Sequence, residues 1–171
     1  MSDWRRSQAG ESGALSSGIH PVQGVPDARR HRVAIVAATF NDTIVGKLLD
    51  GAVAAWRKHG GDIDRLMVAR VPGAFELPVA ALRLAQSKSY DAIVALGCVI
   101  RGDTPHFEYV AGQCAAGLRR VAGDTGIPVA FGVLTVETQA QAEERAAPGE
   151  GNKGGEAMEV ALEMADLLTK L

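Results

Sequence analysis

RVAIVAATF, residues 32–40, is a continuous apolar run, and a segment with helical periodicity follows it directly. A run rich in Val, Ile and Ala, without regular polar interruptions, is typical of a parallel strand buried on both faces of a sheet. In DTIVGKLLDGAVAAWRKHG (42–60), apolar residues recur every three or four positions, Asp42 or Thr43 can serve as the N-cap, and Gly60 can end the helix. Together the two segments predict one strand followed by one helix.

The same strand and helix pattern recurs along the rest of the chain. The predicted strands are IDRLMVARV (63–71), DAIVALGCVI (91–100) and PVAFGVLTV (128–136), and the predicted helices run from about 77 to 87, 106 to 123, 138 to 146 and 154 to 170. This alternation, with short connections, is typical of a parallel sheet with right-handed crossovers and helices on both faces. We therefore predict a three-layer α/β sandwich of the doubly wound, flavodoxin-like kind, built on a small four-stranded parallel sheet.

The bulk composition favours one globular domain. The chain has 171 residues, of which 47% are hydrophobic and 22% are charged, and this is enough to bury one core. Residues 1–30 are rich in Ser, Gly and Arg without an apolar period, so we predict a flexible N-terminal arm there and a single domain over residues 31–171. Cys98 and Cys114 lack the close spacing of a metal or redox motif, so we predict that they are packing residues in a reducing compartment.

Charge and hydropathy argue against two classes of partner. The net charge of −2 gives no general attraction to nucleic acid or to an anionic membrane, so a charged ligand would need a local cluster of residues. No apolar stretch is long enough to span a bilayer, and no hydrophobic segment follows the N-terminal arginines as it would in a secretory signal. We therefore expect a cytoplasmic protein that binds neither nucleic acid nor membrane.

The stretch GCVIRGDTPHFEYV, residues 97–110, carries the clearest functional signal. In parallel sheets, ligands bind at the carboxyl ends of the strands, and this stretch ends the third predicted strand. Asp103 or Thr104 can cap the next helix and Pro105 suits its first turn, which places His106 where backbone N–H groups attract anions such as phosphate. Because the helix dipole disfavours a positively charged ring, His106 can serve as a base, and the alternative is an ordinary surface histidine in a capped turn.

Two short motif matches lack the context that they need. GEGNKG (149–154) fits the glycine pattern of dinucleotide-binding proteins, but it follows a predicted helix rather than a strand, so we predict a joint between two helices. HFE (106–108) fits the H-x-E of zinc deaminases, but no P-C-x-x-C follows it to complete a metal site. We therefore expect no metal ion.

Five motifs, in order along the chain, resemble those of the lumazine synthase family: ATFN (38–41), PGAFELP (72–78), GCVIRGDTPHFEYV (97–110), FGVLT (131–135) and EERA…GNKGGEA (143–157). The likeness covers about residues 32–170 and leaves the arm outside. Members of this family condense 5-amino-6-ribitylaminouracil with 3,4-dihydroxy-2-butanone 4-phosphate and release phosphate and water, in the penultimate step of riboflavin biosynthesis. The resemblance implies the same reaction here, without cofactor or metal.

The resemblance also implies roles for individual residues. Phe40 would stack on the pyrimidinedione ring, and His106 would move protons during imine formation and phosphate elimination. Asp103, Thr104 and Arg145 would hold the phosphate, for which the planar fork of an arginine is suited. The ribityl chain would contact Asn41, Ala74, Phe75 and Glu76. The ring edge would contact backbone groups of Cys98, Val99 and Ile100. The far side of the site would be formed by Phe131, Lys153 and Glu156.

The resemblance further implies a homo-oligomer. In the family, the residues that match Phe131 and Arg145 belong to a neighbouring subunit, so a site requires at least a pentamer, and some members form an icosahedral shell of sixty subunits. Many shell-forming members carry another lysine before GNKG, which is absent from APGEGNKG (147–154), although the loop length is preserved. Both assemblies stay open, and riboflavin synthase is a further partner that the resemblance raises.

Two alternative functions stay open from the sequence. Another phosphosugar lyase or aldolase could use Lys153 as an imine-forming amine, but such a lysine should be desolvated, and its setting in GEGNKGG predicts exposure. A non-catalytic lumazine- or flavin-binding cage protein of the same fold could keep His106 and Arg145 by descent.

Overall fold

The computed structural model describes residues 20–171, and in this part of the chain four strands form one parallel sheet. The strands are β1 (Val33–Ala38), β2 (Leu66–Val71), β3 (Ala92–Ile100) and β4 (Val129–Val136), and they lie in the order β2-β1-β3-β4. β1 pairs with β2 from Val33 opposite Leu66, and β3 pairs with β4 from Ile93 opposite Val129. The carboxyl ends of the strands therefore meet at one edge of the sheet.

Within residues 20–171, five α-helices connect and cover the strands. They are α1 (Asp42–Lys58), α2 (Leu77–Gln86), α3 (His106–Thr125), α4 (Gln139–Ala146) and α5 (Lys153–Leu168), and short 3₁₀ turns span Ile63–Arg65 and Ala74–Glu76. Helices α1, α4 and α5 pack on one face of the sheet, and α2 and α3 pack on the other. The predicted three-layer α/β sandwich is confirmed. None of these described helices is long and apolar enough to cross a bilayer.

The apolar run of β1 contributes to both cores. Every residue of β1 is buried, and its side chains alternate between the two faces as the pleat requires. The apolar stripe of α1 faces the sheet and ends at Trp56, which is fully buried and whose indole N–H donates to the carbonyl of Asp62 at 3.1 Å. The continuous apolar run of residues 32–40 therefore predicted a strand buried on both faces, and the helical period of residues 42–60 predicted the face of α1 that packs on the sheet.

Strand β2 is shorter than predicted. The predicted strand began at Ile63, but the side chain of Asp62 accepts a hydrogen bond from the Asp64 N–H at 3.1 Å, and residues 63–65 form a 3₁₀ turn. An aspartate that binds the backbone two residues further on favours a turn over a strand. The strand therefore begins at Leu66.

The glycine-rich segment GEGNKG joins α4 to α5, as predicted, and the buried side chain of Asn152 lies at its centre. The Asn152 side chain makes five hydrogen bonds. Its Nδ2 donates to the carbonyls of Lys47, Ala146 and Ala147 at 3.0, 2.8 and 3.3 Å, and its Oδ1 accepts from the N–H groups of Gly154 and Gly155 at 2.9 and 3.1 Å. An added Cβ at Gly154 would lie 1.9 Å from the carbonyl oxygen of Leu48, so α5 begins in direct contact with the backbone of α1.

The predicted arm spans residues 1–30, of which residues 1–19 lie outside the described residues. The following segment lies along α5. The Val25 N–H donates to the carboxylate of Asp166 at 2.8 Å, and the Lys170 ammonium donates to the carbonyl of Gln23 at 2.8 Å. Gly24 is buried so closely that an added Cβ would lie 1.9 Å from a carbonyl oxygen of α5. This part of the arm is held by defined contacts.

Candidate active site

A cleft of about 580 Å³ opens at the carboxyl edge of the sheet, between the end of β3 and the start of α3. Its walls come from the loop after β1, the 3₁₀ turn after β2, the end of β3 and the first turns of α3. The residues that line it are Phe40, Gly73, Ala74, Phe75, Glu76, Cys98, Val99, Ile100, Gly102, Thr104, His106, Phe107, Tyr109 and Val110. The structure thus brings most of the predicted site residues from the first three strands into one space.

Phe40 presents an exposed aromatic ring to this cleft. Its N–H donates to the carbonyl of Pro72 at 3.0 Å, and the N–H of Thr39 donates to that of Val71 at 2.8 Å, so the loop is fixed to the end of β2. The Phe40 residue is 70% exposed. An exposed ring on an anchored backbone is suited to stacking on a planar ligand.

Asn41 begins α1 in a conformation that the sequence pattern did not predict. It is the N-cap residue, in the left-handed region with φ of 58°, and its Nδ2 donates to the carbonyl of Cys98 at 2.9 Å. The prediction that Asp42 or Thr43 caps α1 is therefore wrong, because a contact with a distant strand holds Asn41 in place. Asp42 instead pairs with Arg70 of β2. Asn41 is not among the residues that line the cleft.

The turn after β2 places Ala74, Phe75 and Glu76 in the cleft. The Glu76 carboxylate lies over Gly73, where an added Cβ would be 3.1 Å from Oε2. Glu76 occupies the N-cap position of α2 without a side-chain capping bond. Its carboxylate oxygens are therefore placed to accept hydrogen bonds from ligand hydroxyl groups.

His106 is the first residue of α3 and lies at the edge of the cleft. The prediction that Asp103 or Thr104 caps this helix is wrong, because Pro105 has helical backbone angles and is itself the N-cap, without a side-chain capping bond. The first N–H groups of α3 therefore lack a capping side chain, and such an end binds anions. Thr104 lines the cleft beside His106, whereas Asp103 does not.

Arg145, Lys153 and Glu156 do not line this cleft, and they lie in the helix layer on the opposite face of the sheet from α3. The Arg145 guanidinium donates to the carbonyl of Gln141 on α4 at 3.0 Å. The Lys153 ammonium donates to both carboxylate oxygens of Glu156 at 2.7 and 2.8 Å. The prediction that Lys153 is exposed is wrong, because this ion pair holds the side chain half-buried at the start of α5.

Phe131 also lies apart from the cleft of its own chain. It pairs with Ala95 in the middle of β3 and β4, well before the carboxyl ends of these strands. By the alternation of the strand its side chain shares a face with Val133, which packs in the core beneath α2 and α3. The Phe131 residue is 46% exposed at this outer strand of the sheet.

The fold that carries this cleft can be compared with known protein families. The family model described as 6,7-dimethyl-8-ribityllumazine synthase matches residues 30–169, which include all four strands and the five helices that cover them. The chain belongs to the 6,7-dimethyl-8-ribityllumazine synthase family. This is a family of transferases with lumazine synthase activity in riboflavin biosynthesis, and its members act on small molecules and assemble as oligomers.

Several cleft residues lie within the lumazine synthase motifs but were not assigned a role from the sequence: Gly73, Gly102, Phe107, Tyr109 and Val110. A signal for two of them was present. Tyr109 and Val110 follow His106 by three and four positions, which places all three on one face of a helix. The glycines gave no comparable signal, because their place in the wall depends on the backbone path of two loops.

The two cysteines of this lumazine synthase family member are free and buried, as predicted for packing residues, and no group of three or more His, Cys, Asp or Glu residues in the described chain could hold a metal ion. Burial raises the pKa of Cys98 and of Cys114 to about 11. The native chain therefore binds these protons more tightly than the unfolded chain, and this contribution to stability is lost as the pH rises from about 9 to 11.

We expect native protein to resist iodoacetamide at pH 8, because on the order of 10⁻³ of each buried thiol is thiolate there. Labelling should accelerate towards pH 10 and should reach both cysteines in urea. Mass spectrometry of the labelled protein checks this. Rapid double labelling of native protein at pH 8 would contradict the burial of the thiols.

Proposed function

We propose that this chain condenses 5-amino-6-ribitylaminouracil with 3,4-dihydroxy-2-butanone 4-phosphate to give 6,7-dimethyl-8-ribityllumazine, phosphate and water. The observation that carries the proposal is the cleft, which surrounds one space with the Phe40 ring, the Glu76 carboxylate and the His106 imidazole at a helix N-terminus. These groups suit a planar heterocycle, a polyol chain and a phosphate. Membership of the family supports the same reaction.

Each part of the two substrates has a matching wall in this proposal. The uracil ring stacks on Phe40, and its edge meets backbone groups of residues 98–100. The ribityl hydroxyls lie along residues 74–76 and donate to Glu76, while Asn41 supports this end of the cleft through its bond to the carbonyl of Cys98. The phosphate binds at the uncapped start of α3, beside Thr104 and with Asp103 at the rim.

His106 moves protons between the reacting groups. The substrate amine attacks the ketone carbonyl, and the resulting carbinolamine loses its hydroxyl as water to form an imine, which requires a proton on the departing oxygen. Phosphate then leaves with the electron pair of its C–O bond while a base removes a proton from the neighbouring carbon, and the resulting enol becomes a ketone. The ribityl-bearing nitrogen attacks this ketone, and loss of a second water closes the ring. An imidazole can donate the proton to the first departing hydroxyl and accept the proton removed during elimination. The N–H groups of α3 stabilise the negative charge of the departing phosphate.

A neighbouring subunit completes the site. Arg145, Lys153 and Glu156 lie in the opposite helix layer of their own chain, and Phe131 lies outside its cleft, so in this proposal a second copy supplies them. We infer that Phe131 closes the aromatic side of the cleft and that Arg145 binds the phosphate. Lys153 and Glu156 then add a paired charge at the far wall.

The rim of the cleft supports assembly of this kind. The side chains of Phe40, Phe75 and Tyr109 are each more than half exposed around one opening. Contiguous exposed apolar side chains of this size are typical of an interface or a ligand site. We infer a ring of five subunits, alone or as the unit of a sixty-subunit shell, in the cytoplasm, with riboflavin synthase as a candidate partner.

Product formation tests the proposed reaction. Purified protein incubated with both substrates should produce lumazine, measured by its fluorescence, and inorganic phosphate in equimolar amounts. Neither product should form when one substrate is omitted. Tight binding of the uracil substrate without release of phosphate would support the non-catalytic binding protein instead. An adduct of the phosphosugar with Lys153, trapped by borohydride, would support a lyase or aldolase.

Replacing Phe40 with alanine should weaken binding of the uracil substrate by about 1–3 kcal/mol, if this ring stacks as aromatic side chains stack on nucleic-acid bases. Phe40 packs in neither core of its own chain and also lies on the exposed apolar rim, so the unfolding midpoint at one fixed protein concentration is measured to separate a loss of binding from a loss of assembly. Phe40→Leu is the matched control, since it keeps apolar volume without an aromatic face and should recover only part of the affinity. Calorimetry measures both variants, and unchanged affinity in Phe40→Ala would remove this residue from the site.

Replacing His106 with alanine should lower kcat by about 10², near the lower end of the range for general acid–base catalysis, with a smaller change in KM. The loss stays moderate because well-oriented substrates form an imine partly through proximity alone. His20→Ala, outside the cleft, is the matched control and should keep the wild-type kcat. A wild-type kcat for His106→Ala at every pH tested would show that the imidazole is structural.

A further inference from the structure

We propose that Arg101 is a positioning residue for His106, because its guanidinium clamps the uncapped first turn of α3 to the end of β4. The inference rests on the proposed function, in which His106 transfers protons. Arg101 does not line the cleft, so it acts on the reaction through the helix that carries His106.

The Arg101 guanidinium bridges two carboxylates on different elements. Its Nη2 lies 2.8 Å from Oε1 of Glu108, in the first turn of α3, and its Nε donates to Oε2 of Glu137, just after β4, at 2.7 Å. Its Cζ lies 4.2 Å from the centroid of the Phe107 ring, which is the distance of a cation–π contact. The backbone N–H of Arg101 also donates to the carbonyl of Val136 at 2.9 Å. One residue thus joins three segments at the edge of the cleft.

The first turn of α3 needs such a clamp, because no side chain caps it. Its N-cap is Pro105, and residues 101–106 are exposed to solvent. Arg101 contacts Phe107 and Glu108, the two residues that follow His106 in the helix, so it fixes the direction of the helix and leaves the imidazole for the substrate. Phe107 itself lines the cleft, and the guanidinium lies over its ring.

The clamp is expected to affect geometry more than overall stability. A single exposed ion pair stabilises a protein little, whereas a planar guanidinium shared by two carboxylates restricts the relative positions of the elements that carry them. A displacement of about 1 Å at a catalytic group is enough to slow a reaction strongly. Removing the Arg101 side chain should therefore lower kcat without a measurable change in the unfolding midpoint.

Arg101→Gln tests the clamp, because it removes the charge and the fork and keeps a polar side chain. We expect kcat to fall about tenfold, KM to change by less than about threefold, and the unfolding midpoint to stay within error. Arg101→Lys keeps the charge without the fork and should recover only part of kcat. Arg120→Gln is the matched control, since it removes an ion pair with Asp124 at the other end of α3 and should keep the wild-type kcat.

The double variant Arg101→Gln with His106→Ala separates positioning from a general structural role. If Arg101 acts through His106, the double variant loses no more kcat than His106→Ala alone. The same fractional loss of kcat in both backgrounds, or a wild-type kcat for Arg101→Gln, would overturn the inference.

Wild-type protein is assayed in the same series, so that failure of the proposed function is distinguished from failure of the clamp. If the wild type made no lumazine, the proposed reaction would be wrong, and hydrogen exchange would still test the clamp. Amides of residues 102–112 should exchange faster in Arg101→Gln than in the wild type, and at the wild-type rate in Arg120→Gln. Unchanged exchange in Arg101→Gln would overturn the clamp.

Discussion

Replacing Arg145 with alanine is expected to lower kcat/KM for the phosphosugar by about 10²–10³, the range seen when one donor to a developing negative charge is removed. In its own chain, Arg145 donates to a carbonyl of α4 and lies 3.7 Å from Glu144, contacts that leave several of its five N–H groups for a phosphate in another subunit's cleft. Because phosphate is bound before reaction and leaves during it, KM should rise and kcat should fall.

Steady-state kinetics with the phosphosugar varied and the uracil substrate saturating measures both constants. Arg145→Lys is the matched control, since it keeps the positive charge and loses the planar fork, and it should lie between the wild type and Arg145→Ala. A wild-type KM for the phosphosugar in Arg145→Ala would show that phosphate binding does not involve this residue.

Replacing Asn152 with alanine is expected to lower the free energy of unfolding by about 3–4 kcal/mol, because it removes five hydrogen bonds at a buried site and leaves carbonyl groups of α1 and α4 without their donor. Asn152→Asp keeps an acceptor for the N–H groups of α5 but turns a carboxylate towards those carbonyls, so it should be at least as damaging.

Urea denaturation at one fixed protein concentration compares the variants, because the stability of an oligomer depends on concentration. Gln139→Ala removes an exposed side-chain bond to Glu143 and is the matched control, with an expected loss within about 0.5 kcal/mol. A loss below about 1 kcal/mol for Asn152→Ala would mean that the joint between α4 and α5 relaxes without this side chain.

Much of the fold could be predicted because its signals are local. The apolar runs that became β1 and β3 are long and lack polar interruptions, and the stripe of α1 that ends at Trp56 has a clear helical period. Gly60 takes a positive φ of 80° just after α1, as expected of a glycine that ends a helix.

The caps of α1 and α3 were not predicted, for two different reasons. Asn41 takes the left-handed conformation and donates to the carbonyl of Cys98, fifty-seven positions away, and the N-cap of α1 lies one or two residues earlier than the predicted Asp42 or Thr43. At α3, the helical angles of Pro105 exclude Asp103 and Thr104 from the capping position. The prediction that Lys153 is exposed was wrong for a local reason, because its ammonium pairs with Glu156 one helical turn away.

The sequence predicted which residues could form the candidate site but not where they lie relative to one another. The order of the motifs along the chain does not show which of them lie on the same face of the sheet. In the structure, the motifs of the first three strands meet in the cleft, whereas α4 and the start of α5 lie behind the sheet. The separation of Arg145 from His106 is the observation from which we infer a second subunit.

The composite site is tested most directly by mixing two variants that are each defective on one side of the cleft. One variant carries Phe40→Ala and His106→Ala, the other carries Arg145→Ala, and the two are assembled together from unfolded chains, with ultracentrifugation to confirm that the mixed oligomer has the wild-type size. If each cleft takes His106 from one subunit and Arg145 from its neighbour, random assembly leaves about one site in four intact, and lumazine formation should recover to about a quarter of the wild-type rate. Activity of the mixture that stays at the mean of the two separate variants would contradict a site shared between subunits.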